Sequence, residues 1–406
     1  MKIENSIAFE RTVIFLIAAV QFVNILEFMM VMPLGPDFAK DLDIPMSHLG
    51  YIGGSYTGAA SIAGLLSSTF IEKFDRRKAL AFAICGLVIS TIIGGLSINF
   101  EMLLGARILA GMFGGPATSL ALAIVADVIP PTRRGKAMAT VMMSFSLASI
   151  FGVPAGLELA RLGSWRIPFF AVAMLGTCIS LAALLKLPPM RAHLDSISKS
   201  SNIISDSFAL LRRPTVIVSY IMTATVMLAL FSLVPNIAPY VLENLKYPRE
   251  RLGLLYMCGG LASFLLMRPI GLITDKIGSF KVALFGTIIF VSIVYIMFVA
   301  PPHNASVLIM FTVFMTTAGL RNIPYTSLTS QVPKPNERAR FMALQSSIQH
   351  LSSALGAFMS SQILSETIDH NLLGMDTLGK MSMLFALVLP VGLFYIQRNL
   401  NQDSSA

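Results

Sequence analysis

Charge is the property this chain has least of. Only 13% of its 406 residues are Asp, Glu, Lys or Arg, and 55% are hydrophobic. Soluble globular domains carry roughly 25% charged residues. With a mean hydropathy of +0.74, the chain reads as a polytopic membrane protein whose largest partner is the lipid bilayer, and counting domains by length does not apply. Cysteine is also scarce. Cys85, Cys178 and Cys258 lie inside hydrophobic runs without disulfide-framework or metal-ligand spacing, so they read as small packing residues. Phosphate loops of the full G-x-x-x-x-G-K-[ST] type, G-x-S-x-G elbows and plausible metal-ligand clusters are missing (Gly374–Lys380 has the glycine and lysine spacing, but Met381 follows it), which argues against an ATPase, an enzyme, a cofactor or a bound metal. The first apolar run is too long for a cleavable signal and lacks a small-residue cleavage site, so it is expected to remain as a membrane helix.

What is present is a series of twelve apolar spans, at about 12–34, 46–70, 79–98, 102–126, 137–160, 165–187, 214–239, 250–273, 280–300, 305–329, 340–363 and 376–397. Each is long enough to cross a roughly 30 Å hydrocarbon core. The one long connection, 188–213, is polar, Ser-rich and flanked by prolines. It reads as a cytoplasmic linker between an N-terminal six-helix bundle, 1–187, and a C-terminal one, 214–406. With the N-terminus inside, inner loops and termini hold 20 basic residues and outer loops seven. That asymmetry places both termini in the cytoplasm. It also accounts for the net charge of +9 without nucleic-acid binding, since no loop combines a basic patch with interleaved aromatics.

The two halves repeat. Glu72, after span two, corresponds to Asp275 after span eight, 203 residues on. Arg134, after span four, corresponds to Arg338 after span ten, 204 residues on. Parallel repeats of this kind bracket a central site in secondary transporters.

The loop motifs carry a family resemblance over nearly the whole chain. Ser68, Glu72, Lys73, Asp75, Arg76 and Arg77 resemble the G-x-x-x-D-R-x-G-R-R signature of the major facilitator superfamily, departing from it at both glycines. Gly271, Asp275, Lys276 and Gly278 form a closer second copy. Arg107 and Gly111 resemble the R-x-x-x-G motif of span four. Gly152, Pro154 and Gly156, followed by Trp165 and Arg166, are similar to the span-five motif of drug and small-metabolite proton antiporters, with the proline one residue late and Leu157 where a second glycine is common. The resemblance implies an all-α membrane protein of twelve transmembrane helices in two pseudo-symmetric six-helix bundles around a midplane cavity.

Against that background the costly residues stand out. Glu27 interrupts the first span together with Gln21 and Asn24, and a carboxylate at membrane depth costs roughly 3 kcal/mol or more unless it faces protein or water. Counting along the helices places Glu27 about 22 Å from the inner edge and Arg107 about 8 Å below the outer one. The two therefore sit at matching depths on helices that the resemblance assigns to the cavity. An ion pair there predicts proton loading at Glu27 tuned by Arg107; a static structural pair is the alternative. Glu158 is a weaker proton candidate, able to pair with Arg161 one turn on. In the second half, Arg321, Asn236 and Tyr325 are candidate cavity residues, and Pro235, Pro239 and Pro324 are expected to break their helices. Arg321 would meet an anionic substrate or an inner-loop acid. Glu72, Arg76, Arg77, Asp127, Asp275 and Lys276 are candidate gating charges. Gly152, Pro154 and Gly156 would bend span five and let it pack closely against span eight. The expected function is secondary export of a small molecule, drug-like compound or metabolite, in exchange for protons, by a monomer in the inner (plasma) membrane. Proton-coupled or facilitated uptake, and a receptor that has kept the fold, are the alternatives.

Overall fold

Inside a bilayer every backbone N–H and C=O must be satisfied within its own segment, so long apolar runs become helices. A computed structural model of the chain describes residues 7–70, 74–190, 210–302, 305–334 and 337–405. Its first half contains α1 (Ile7–Val31), a short α2 (Gly35–Asp41), α3 (Leu49–Phe70), α4 (Arg76–Gly95) and α5 (Phe100–Val128). Then come α6 (Pro131–Leu147), α7 (Val153–Leu162) and α8 (Arg166–Lys186). The second half contains α9 (Pro214–Phe231), α10 (Leu252–Ile277), α11 (Ser279–Val294), α12 (Val307–Thr329), α13 (Arg338–Ile363), α14 (Met375–Ala386) and α15 (Val388–Ser405). Ser365–Glu366 and Leu372–Leu373 form a two-strand antiparallel ribbon between α13 and α14.

Among the described residues ten helical segments are long and apolar enough to cross a membrane. The other two spans, α3 and α13, are helices of 22 and 26 residues that are as long but richer in Gly, Ser and Gln. The fold is the expected twelve-helix one. Contacts group Met1–Ile44 and Ser55–Ser198 into one unit, and Pro45–Gly54 and Lys199–Ala406 into the other. The short segment Pro45–Gly54 joins the second unit because Met46 N–H donates to Glu366 Oε2 at 2.7 Å and Tyr51 pairs with Gln362. Within unit 1, α4 packs on α5 and α8, and α1 on α5, α6 and α8. Within unit 2, α10 and α11 pack on α12, and α9 on α13. Most of the linker 188–213 and Glu72 lie outside the described residues.

Proline acts in two ways. In span five a π-helical turn, Ala148–Gly152, precedes Pro154, with Val153 N–H reaching back to Ala148 C=O. The wide turn accommodates a residue that has no N–H to give. Pro235 lies in a 3-10 turn, and Pro239 leads into a π-helical turn at Tyr240–Asn244, so span seven is broken as expected. Pro324 is different: it sits inside α12 and the helix continues through it. Without an N–H at 324 the Leu320 carbonyl loses its helical partner. There α11 approaches at Gly286, where an added Cβ would come 2.9 Å from that carbonyl oxygen. A close helix neighbour thus covers the freed group, as transmembrane prolines require.

The repeat extends to two ion pairs of opposite polarity. Arg133 Nη2 meets Glu10 Oε1 at 2.9 Å, joining the starts of α6 and α1. Arg213 Nη1 meets Glu337 Oε2 at 2.7 Å, joining the starts of α9 and α13. Glu10 and Arg213 are 203 residues apart, and Arg133 and Glu337 are 204 apart. The same positions are stapled, with acid and base exchanged. These pairs are partly exposed, so each contributes about 1 kcal/mol or less. We expect Glu10→Arg alone to lower thermal stability through repulsion with Arg133, and adding Arg133→Glu to restore it. A double variant no more stable than the single one would show that the pair is not the staple.

Candidate functional site

The best-defined polar site of unit 1 lies among α1, α3 and α5. Asn24, Glu27 and Phe28 share one face of α1 at helical spacing. Glu27 is fully buried and Arg107, from α5, is 1% exposed. The Arg107 Nη1 donates to Glu27 Oε1. The guanidinium also lies 4.8 Å from the centroid of the Tyr56 ring on α3, in cation–π range. Tyr56 in turn packs on Phe28, with ring centroids 4.9 Å apart, and its hydroxyl donates to Asn24 Oδ1 at 3.1 Å. Asn24 Nδ2 donates to the Gly114 carbonyl at 3.0 Å and to Thr118 Oγ1 at 2.7 Å.

Two glycines allow this arrangement. A Cβ on Gly111 would collide with the Tyr56 backbone carbonyl, and one on Gly114 with the Tyr56 hydroxyl. The α5 backbone therefore approaches α3 closely, and the aromatic ring can slide beneath Arg107. Glu27 Oε2 and Arg107 Nε have no hydrogen-bond partner. The carboxylate thus keeps one oxygen uncommitted in a closed site. That oxygen is a position at which a proton can bind.

The expected pairing of Glu27 with Arg107 is present; Tyr56 and Thr118, which complete the site, carried no sequence signal beyond lying in neighbouring spans. Gly152 meets Leu26, the residue before Glu27: a Cβ there would come 2.6 Å from Leu26 Cδ1. Within unit 1, then, the span-five motif supports the helix that bears the carboxylate. Gly156 is less tightly held, with Pro168 and Met30 at 3.8 and 3.9 Å from an added Cβ.

Unit 2 builds separate polar sites. Tyr325 is fully buried and its hydroxyl pairs with Thr223 of α9. It also accepts from Gln345 Nε2 of α13 at 2.5 Å. Asn236 Nδ2 donates to Ser360 Oγ at 2.8 Å while its Oδ1 is unpartnered. Arg321 lies one turn before Tyr325 on α12, 2% exposed, with its guanidinium 4.2 Å from the Phe290 ring centroid. Its Nε and Nη2 have no partner. Among the described residues no acid pairs with it, and an aromatic face lies against it instead.

The candidate gate divides unevenly. Arg76 pairs with Asp127, tying the start of α4 to the end of α5, and Arg77 Nη1 donates to the Leu187 carbonyl at 3.0 Å. Asp127 thus takes Arg76, not the Arg133 or Arg134 adjacent in sequence. Asp275 and Lys276 are exposed on the last turn of α10. The missing glycine of the first motif copy also has a reason. Asp75 is the N-cap of α4 at φ −56°, its carboxylate accepting from Arg77 and Lys78 N–H. Its repeat equivalent, Gly278, has φ +91°, which favours glycine. Outside the spans, Asp41 accepts from Trp165 Nε1 at 2.9 Å and Arg166 Nη1 at 2.6 Å. The indole donation, then the guanidinium, hold its carboxyl below the ordinary value. Glu158 and Arg161 pair on the surface at 2.5 Å.

Comparison with known proteins adds the following. Residues 17–357 match the family model described as Major Facilitator Superfamily. The inner membrane transport protein YdhP of Escherichia coli (strain K12) is 27% identical over 217 residues, 53% of this chain and 54% of that protein. A probable sugar efflux transporter of Helicobacter pylori (strain G27) is 25% identical over 255 residues, 63% of each chain. The chain therefore spans about half to under two thirds of these relatives' lengths. Among solved structures, the nucleoside transporter NupG superposes with a TM-score of 0.73 at 14% identity, covering 96% of this chain and 98% of that one; at this identity the likeness concerns the fold.

Proposed function

Because the chain belongs to the Major Facilitator Superfamily, we propose that this multi-pass transporter exports a small molecule, drug-like compound or metabolite, across the inner membrane in exchange for protons. The observation that carries this reading is the buried Glu27–Arg107 pair with its uncommitted carboxylate oxygen. An isolated buried carboxylate is so costly that it neutralises itself by binding a proton. Pairing with Arg107 favours the anion. When Arg107 is drawn away during the transport cycle, or its place is taken by a competing cation, Glu27 takes up a proton; when Arg107 returns, the proton leaves. Alternating access then delivers that proton to the opposite side from where it was loaded. Tyr56 gives the guanidinium an aromatic surface on which to remain while unpaired, and the Asn24–Thr118 hydrogen bonds hold α1 to α5 through the change.

The direction is supported by the name of the sugar efflux relative. The remaining candidates take supporting parts in the same proposal. Arg321 offers unpartnered N–H donors to an anionic or strongly accepting part of the substrate, Asn236 and Tyr325 orient it, and Arg76, Arg77 and Asp127 stabilise one inner-end arrangement. The charge count supports a cytoplasmic position for both termini. In proteoliposomes, an imposed inward proton gradient is expected to drive loaded substrate outward, tested with a panel of sugars, nucleosides and drug-like compounds. Substrate moving with the protons, or flux indifferent to the gradient, would overturn the antiport reading.

A further inference from the structure

A cavity of about 500 Å³ opens in unit 2 where the end of α10, the start of α11 and the end of α15 meet. Ile277, Phe280 and Phe394 form its apolar wall, and Lys281, Arg398 and Gln397 its polar one, with Gln402 at the rim. None of the lining side chains is acidic. Lys281 and Arg398 are exposed and make no ion pair among the described residues. Gln397 Oε1 is buried without a hydrogen-bond partner. The surfaces running away from the cavity are apolar and uncovered: Phe285 and Ile288 on α11, Val391 on α15 and Leu387 just before it are each more than half exposed.

Comparison of the repeats shows what kind of group the cavity lacks. At the start of α4 the Asp75 carboxylate accepts from the N–H groups of Arg77 and Lys78. The equivalent residues at the start of α11 are Gly278, Phe280 and Lys281, 203 residues on. Gly278 has no side chain, and no side-chain cap replaces it. The second repeat therefore keeps the helix start, and Lys281 where the first has Lys78, but without the built-in anion; Phe280 and Lys281 line the cavity instead.

We infer that this cavity binds the headgroup of an anionic phospholipid bearing free hydroxyls, of the phosphatidylglycerol type. The phosphodiester sits between Lys281 and Arg398, a headgroup hydroxyl donates to Gln397 Oε1, and the acyl chains lie along the uncovered faces of α11 and α15. Basic pockets between transmembrane helices recognise acidic headgroups in this way. A zwitterionic headgroup brings its own ammonium, which two cations repel. A free phosphate shares the charge but gains nothing from Phe280, Phe394 or the apolar faces.

The test uses the full-length protein in detergent, titrated separately with phosphatidylglycerol, phosphatidylethanolamine and inorganic phosphate, and read by native mass spectrometry for bound lipid. The wild type is expected to retain phosphatidylglycerol preferentially. The Lys281→Gln/Arg398→Gln variant is expected to bind it about 30-fold more weakly, from about 1 kcal/mol for each basic residue. Lys281→Arg, which keeps the charge, should bind as wild type, and Lys276→Gln, an exposed cation on α10 that does not line the cavity, should leave phosphatidylglycerol retention as in wild type. Undiminished binding by the double variant overturns the proposal, as does equal retention of phosphatidylethanolamine. Displacement of the lipid by millimolar inorganic phosphate overturns it in favour of a free-phosphate site.

Discussion

Replacing Glu27 by glutamine is expected to abolish pH-driven export while leaving substrate-for-substrate exchange in place. One pH unit across a membrane is worth about 1.4 kcal/mol per proton. A one-for-one exchanger converts that into a roughly tenfold substrate gradient. A glutamine has nearly the shape of the glutamate, and its carbonyl still accepts from Arg107, but it carries no proton between the two sides. The variant should therefore equilibrate substrate without concentrating it. Folding is expected to survive, because Arg107 keeps its place over the Tyr56 ring, and the same chain already buries Arg321 over Phe290 with two unpartnered nitrogens. The measurement is a pair of assays on one proteoliposome preparation: gradient-driven flux and counterflow at equal pH. Normal gradient formation by Glu27→Gln would show that the proton travels elsewhere, with the exposed Glu158 the next carboxylate to examine. Loss of counterflow as well would assign Glu27 to substrate binding.

The second large effect concerns stability. Arg107→Ala removes the only hydrogen-bond donor to a fully buried carboxylate among the described residues, together with a cation–π contact. Breaking a buried pair on one side costs about 3–5 kcal/mol, most of it from the charge left behind. We expect a correspondingly large drop in the thermal midpoint of the purified protein. The Glu27→Gln/Arg107→Ala double variant should recover much of it, because the stranded charge is gone. This asymmetry separates a buried ion pair from simple loss of packing, which the second substitution could not repair. Equal midpoints for single and double variants would show that Glu27 is already protonated beside Arg107 in the wild type.

Much of the architecture is legible in the sequence. The spans were visible as apolar runs because hydrocarbon forces every backbone hydrogen bond into its own helix. The repeat was visible as two matching offsets in loops, where charges stand out against an apolar background. The Glu27–Arg107 pair was accessible to depth counting because helices in a bilayer have a known rise and a fixed thickness to cross. The Glu10–Arg133 and Arg213–Glu337 staples were accessible in principle at the same offsets, but a search for like residues at equivalent positions passes over a pair whose signs are exchanged.

Other features required the packed helices. Whether a transmembrane proline breaks its helix depends on what covers the freed carbonyl. Pro324 leaves α12 intact with Gly286 beside Leu320, whereas span seven changes its winding at Pro235 and Pro239. Tyr56 became part of the site only because Gly111 and Gly114 bring α5 against α3. The departure of Asp75 from the glycine of its motif is explained by its cap on α4 and by the backbone angle that Gly278, unlike Asp75, adopts. By itself, then, the sequence determined the class, the twelve spans, the repeat and the costly charges, all of which follow from the energetics of single helices in hydrocarbon. Tertiary structure alone decided which aromatic face receives each buried guanidinium, which carboxylate oxygen remains uncommitted, and where a missing cap leaves a basic cavity. Those are matters of a few ångströms between helices, set by side-chain packing that helical periodicity does not encode.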